Sequence, residues 1–236
     1  MALKITNIKI PAGNTLKGAF PVVSYGSFDF TGPLAQFLSV PNDNAFNIGA
    51  NDFTVEWWQY QTSFGPAPYA RVWEIGPWSG TVLGISLESA QPTMYIWLNG
   101  TGYPIDINLI PLNQWNHFAF VRHNGTFTFY LNGKSMSTFS YADNIADSTT
   151  PLTIGAESND TGATQFHGQL TNFHFVNGTA LYTQNFNPHF DTIIPVANTK
   201  LLLLAESSDR MLHDYSSLNK TVTNNNNTAW SSLTPF

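Results

Sequence analysis

Between Trp115 and Phe139 hydrophobic and polar positions alternate closely enough that strands and turns can be written down directly. From Trp115, one side carries Trp115, His117, Ala119 and Val121, and the other Asn116, Phe118, Phe120 and Arg122. Both sides are partly apolar, the pattern of a central strand covered on both faces. Asn124-Gly125 then turns the chain, Phe127, Phe129 and Leu131 share a face against Thr126, Thr128 and Tyr130, and Asn132-Gly133 turns it again. Asn and Gly both accept the positive φ of a type I′ hairpin turn, so the segment predicts a three-stranded antiparallel meander. Phe53–Tyr60, Arg71–Ile75, Val82–Leu87, Thr93–Leu98, Leu152–Gly155 and Gln165–Val176 read as further strands. Asn42-Asp43-Asn44, Phe64-Gly65-Pro66 and Asn99-Gly100-Thr101-Gly102 read as turns between strands.

No long window sustains a period of 3.6, so the pattern predicts an all-β sandwich or barrel. The expected buried face holds Phe53, Val55, Trp57, Trp115, Ala119, Val121, Phe127, Phe129, Leu131, Ile154 and Phe173.

Composition narrows the function. Only 10% of the 236 residues are charged, against roughly 25% in ordinary soluble domains; Asn, Ser and Thr supply the polarity. Such a surface suits packing against neighbours or contact with carbohydrate. Nine Lys and Arg scattered through a chain of net charge −6 leave no basic stripe for phosphates, so no nucleic acid is expected as partner. The longest aliphatic run, Leu201 to Ala205, is far too short to span a bilayer, and no membrane insertion is expected. The absence of cysteine removes disulfides and Cys-ligated zinc and argues against a secreted animal domain. MALKITNIKIPAGNTLKGAF at the start lacks the apolar stretch of a signal peptide.

Three segments carry a family resemblance. SFDFTGPLAQFLSVPNDNAFNIGANDFTVEWWQY (27–60) resembles the opening of laminin G-like domains of the concanavalin A-like lectin/glucanase superfamily, through Phe28-Asp29, Phe37-Leu38-Ser39-Val40-Pro41 and Asp52-Phe53-Thr54-Val55-Glu56-Trp57. NQWNHFAFVRHNGTFTFYLNGK (113–134) is similar to the family's Trp-x-His-x-Ala-x-Val-Arg … Tyr-x-Asn-Gly hairpin. Residues 152–189 are similar to its last strands, with Thr171-Asn172 where an Asp pair is usual. The tail, 199–232, resembles the Leu-rich strand that normally comes first in such domains. This pattern, with Leu181-Tyr182-Thr183-x-Asn185-Phe186, looks most like laminin G-like proteins of phages and large DNA viruses.

The resemblance implies a single-domain, concanavalin A-like jelly roll, an antiparallel β-sandwich. Residues 1–19 would form an N-terminal arm, 20–195 the sandwich, and 196–236 a segment that completes the sandwich or docks on a neighbour. It implies a non-enzymatic structural or adhesion protein of a virion, in capsid or tail, whose partners are viral structural proteins, copies of itself, and host glycans met by rim loops. The alternatives are a free extracellular lectin and a glycoside hydrolase.

The hydrolases of this superfamily carry Glu-x-Asp-x-x-Glu, which holds two carboxylates roughly 5 Å apart. Here the five glutamates are isolated, and Glu56 between Val55 and Trp57 reads as a structural carboxylate. No catalytic residue is expected, and the histidines read as structural. Relatives bind calcium on rim loops, which makes Glu157, Asn159, Asp160 and Asp43 the candidate ligands, or plain turn formers that cap their own backbone. Trp78 and Tyr103, in Gly/Pro-rich stretches, are the candidate glycan-stacking rings.

Overall fold

Burial in the computed structural model follows the alternation strand by strand, as in Thr93–Leu98, where Met94, Ile96 and Leu98 are fully covered and the residues between them half-exposed. The structure describes residues 25–33, 35–64, 69–77, 80–88, 93–106, 110–158, 164–189 and 193–236. The proposed arm at 1–19, Trp78, Asn159 and Asp160 lie outside them.

Among the described residues fifteen strands form: β1 (Ser27–Asp29), β2 (Phe37–Val40), β3 (Phe53–Tyr60), β4 (Ala70–Ile75), β5 (Leu83–Glu88), β6 (Thr93–Leu98), β7 (Thr101–Asp106), β8 (Trp115–His123), β9 (Thr126–Leu131), β10 (Lys134–Ser140), β11 (Leu152–Ile154), β12 (Gln169–Asn177), β13 (Thr199–Leu203), β14 (Thr223–Asn225) and β15 (Ala229–Ser231). Sheet A runs β10-β9-β8-β3-β12-β1-β15, with β13 also on β12; sheet B runs β14-β2-β11-β4-β5-β6-β7. All ladder pairs are antiparallel, and the two sheets pack as a sandwich. The turn read at 99–102 shrinks to Asn99-Gly100, both at positive φ, and Thr101-Gly102 opens β7.

Trp57 sits at the centre of the core. Its ring stacks on Phe118 at 5.4 Å and meets Trp73 of the other sheet edge-on at 6.0 Å. Its indole N–H is satisfied by Gln59 Oε1 at 2.9 Å, so the ring is buried at no cost in unpaired polar groups.

The face of β8 differs from the expectation. Phe118 and Phe120 enter the core, because β3 aligns Trp57 with Phe118 and Val55 with Phe120. Ala119 and Val121 are buried on the outer side instead, under Ala180, Tyr182 and Phe186. Trp115 is half-buried at the strand end, 5.7 Å from the Tyr60 ring. Alternation finds the two faces of a doubly covered strand but cannot say which one meets the partner sheet.

Residues 199–231 contribute to both sheets. β13 pairs β12, β14 pairs β2, and β15 pairs β1. The Trp230 indole donates to Ala205 O at 2.9 Å and tucks the final strand against the body.

Candidate functional site

Each sheet carries one polar centre on its outer face. On sheet A, β3 points Glu56 outward beside Ala119, whose small side chain leaves room for the strap 178–188 to pass overhead. The Glu56 carboxylate accepts from His174 Nδ1 at 2.8 Å, His117 Nε2 at 3.1 Å and the Tyr182 hydroxyl at 2.7 Å. His174 Nε2 lies 2.8 Å from the Thr199 hydroxyl, which accepts the Val196 N–H at 3.0 Å, so both ring nitrogens have partners. Burial alone would raise the carboxyl, but the donors on His117 and His174 outweigh it and hold Glu56 well below the usual range. Burial and the same carboxylate push the Tyr182 hydroxyl up, so it stays a donor. The Tyr182 ring stacks on Phe186 at 3.6 Å, and Phe186 N donates to Gly133 O at 2.9 Å. With Glu56 only 2% exposed, no substrate reaches it. The network is a clasp for the strap.

On sheet B the outward residues fall into two registered rows. One runs Ser39, Thr153, Glu74, Gly84, Trp97, Gly102; the other runs Arg71, Ser86, Tyr95, Pro104. Arg71 Nε meets Glu74 Oε2 at 2.9 Å, with both side chains 1% exposed. The Trp97 indole donates to Ser86 Oγ at 2.8 Å, lies 5.4 Å from the Arg71 guanidinium carbon, and tilts against Tyr95 at 5.9 Å. Gly84 and Gly102 flank Trp97 with no side chain, so half-exposed rings stand beside bare backbone on an otherwise polar face.

Burial pushes the Glu74 carboxyl up to about 7, against the pull of Arg71 and helped by the Glu157 charge. Its ordinary value is 4.5, so between the two the folded chain holds a proton that the unfolded chain has released. Stability from this group is present below 4.5 and lost as pH rises through about 7. The expected loss is up to about 3 kcal/mol. Urea melts of wild type and Glu74→Gln from mildly acidic to mildly alkaline pH check it, and parallel profiles for the two would refute it.

The sequence profile of a laminin G family, described as the concanavalin A-like lectin/glucanases superfamily, matches residues 33–184. The chain belongs to that family. No curated protein matches the sequence. Among solved structures, a Bacteroides ovatus protein described as a putative carbohydrate binding protein is 15% identical with a TM-score of 0.60, covering 90% of this chain. The chain spans 63% of the length of that protein. A native heptameric SAP-like pentraxin from Limulus polyphemus is 16% identical with a TM-score of 0.59, covering 87% of this chain and 93% of its own. At such identity the likeness is one of fold: a lectin-like sandwich.

Within this laminin G-like frame the expected site residues separate. Tyr103 lies in β7, not in a loop, and faces inward, half-buried with one ring face stacked on Phe139 at 4.7 Å. Asp43 caps the turn at Asn44–Phe46 by accepting from Ala45 N, and its other oxygen pairs with Lys220 Nζ at 2.7 Å. An ammonium therefore holds the carboxylate that a calcium ion would need. Glu157 leaves β11 at the end opposite to Asp43, because Leu152 aligns with Val40 and Ile154 with Leu38, and it joins the Arg71–Glu74 group instead. Among the described residues no three His, Asp or Glu side chains gather to hold a metal. Tyr95 and Trp97 are not among the expected site residues, although TMYIWL, closed by Asn99-Gly100, shows aromatics on the polar phase of a strand.

Proposed function

We propose that this laminin G-like chain is a non-enzymatic adhesion module that binds neutral glycans on the outer face of sheet B. The observation that carries the reading is the Tyr95–Trp97 pair, two half-exposed rings beside Gly84 and Gly102, backed by Ser86 and Arg71. A flat apolar ring face with a few placed polar groups is how proteins hold sugar-like ligands. Glu88 lies beside Tyr95, where desolvation and that carboxylate raise the Tyr95 hydroxyl. With Glu88 beside Tyr95 and Glu157 near Arg71, the face disfavours acidic sugars. The description of the similar Bacteroides protein supports the same class of ligand.

A virion is the proposed location, and the support is sequence resemblance alone: Leu181-Tyr182-Thr183-x-Asn185-Phe186 has the form found in viral laminin G-like proteins. That motif also has an architectural reason to exist, since Tyr182 and Phe186 close the Glu56 clasp. Detection of the chain in purified particles tests the location.

A glycan array followed by titration of the best neutral ligand tests the binding. Trp97→Ala is expected to weaken it roughly tenfold or more, the effect of removing a central aromatic anchor; unchanged affinity would remove the face from consideration. Reducing-sugar release from polysaccharides that disappears in Glu74→Gln would replace the reading with a hydrolase.

A further inference from the structure

The outer face of sheet A also holds a cleft beside the clasp, apart from the sheet B face. It has a volume of about 260 Å³ and lies between the hairpin β8–β9 and the strap. Val121, Thr126 and Thr128 form its floor, Tyr182 and Thr183 its strap-side wall, and Tyr130 closes one end. At the mouth stand His123 and Asn124, both anchored by Asp52: His123 Nδ1 lies 3.0 Å from one carboxylate oxygen, and Asn124 N donates to the other at 2.8 Å.

We propose that this cleft is a second glycan site, taking a single neutral sugar ring. Its chemistry selects the ligand class. Three threonine hydroxyls and an Asn amide both donate and accept, which matches sugar hydroxyls, and the half-buried Tyr182 ring supplies apolar surface for a C–H face. Among the described residues no Lys or Arg lines the cleft, and its one imidazole, His123, lies against Asp52. No permanent cation there would pair with a carboxylate or sulfate. The volume falls below the roughly 300 Å³ at which drug-sized pockets begin, so one ring fits and the rest of a glycan runs outward.

The wall is set before any ligand arrives. Tyr182 is fixed at its hydroxyl by Glu56 and on a ring face by Phe186, so binding would cost little ordering of the strap, and preorganisation raises affinity. The clasp thus has a use beyond stability: it holds one side of a sugar cleft. The cleft and the Tyr95–Trp97 face lie on the outer surfaces of opposite sheets, so one chain can bridge two glycans and gain avidity without oligomerising.

The test is amide chemical-shift mapping of the ¹⁵N-labelled full chain with methyl glycosides of neutral hexoses and N-acetylhexosamines. Saturable shifts at Thr126, Thr128 and Thr183 are expected, and they should persist in Trp97→Ala, which separates this site from the sheet B face. Thr128→Tyr, filling the floor, should weaken these shifts roughly tenfold or more; if it fails to fold, Thr183→Trp from the exposed strap position serves. The proposal is overturned if no glycoside shifts these amides, if the shifts vanish in Trp97→Ala, or if a folded floor or wall variant binds as wild type does. A methyl glucuronide that binds more tightly than the neutral glycosides overturns the ligand class.

Discussion

Removing residues 199–236 is expected to leave a chain with no cooperative unfolding transition. The segment supplies β13, β14 and β15, so its loss strips a partner from β12, β2 and β1 at once and opens an edge in each sheet. It also removes Leu201, Leu202, Leu203 and Leu204, all buried. At about 1.5–3 kcal/mol for each buried leucine, those four side chains contribute roughly 6–12 kcal/mol, comparable with the whole stability of an ordinary domain. Asp214 ties the segment together by accepting from Leu202 N, Ser216 N, the Ser216 hydroxyl and Lys220 N. Asp214→Ala, which frees four donors, is the graded version and should lower the melting temperature by several degrees. A truncated chain that still melts cooperatively near the wild-type temperature would mean that the tail rides on a sandwich already complete.

What could be read from the sequence was what local chemistry decides. The meander from Trp115 to Ser140 follows from period-two alternation and from Asn124-Gly125 and Asn132-Gly133, all four at positive φ. Long-range register decided the rest. Phe129 pairs with Phe120, not Ala119, and that ladder places Ala119 under the strap. The Arg71–Glu74 pair was out of reach for a definite reason. Residues three apart on a regular strand point to opposite faces, but a bulge at Val72 brings these two onto the same one. A second bulge, at Asn172 with φ 52, shifts the phase of β12 so that both Thr171 and His174 point outward and His174 reaches Glu56. Asn tolerates that left-handed conformation better than most residues, which gives Thr171-Asn172 a structural role where relatives have an acidic pair. Tyr95 and Trp97, by contrast, were legible. Aromatics on the outward phase of β6 needed no long-range information to be noticed.

Replacing Glu56 is expected to loosen the strap and flatten the acid limb of the stability curve. Glu56→Leu leaves the inward-pointing donors of His117, His174 and Tyr182 without an acceptor in a buried site. Removing one member of a buried charged network costs about 3–5 kcal/mol, a melting-point drop on the order of 10 °C in a chain of this size. Glu56→Gln keeps the shape and one acceptor oxygen and should lose less. The pH signature separates this role from simple packing. Because the folded carboxyl lies well below its ordinary 4.5, its contribution is present above that pH and disappears as pH falls below it. Wild type should therefore lose stability steeply in acid, and Glu56→Gln should lose much less over the same interval. The strap itself offers a local readout. With Tyr182 released, cleavage between 178 and 189 by a nonspecific protease should quicken before the sandwich unfolds. Equal acid profiles and equal cleavage in the two proteins would mean that Tyr182 and Phe186 hold the strap without the carboxylate.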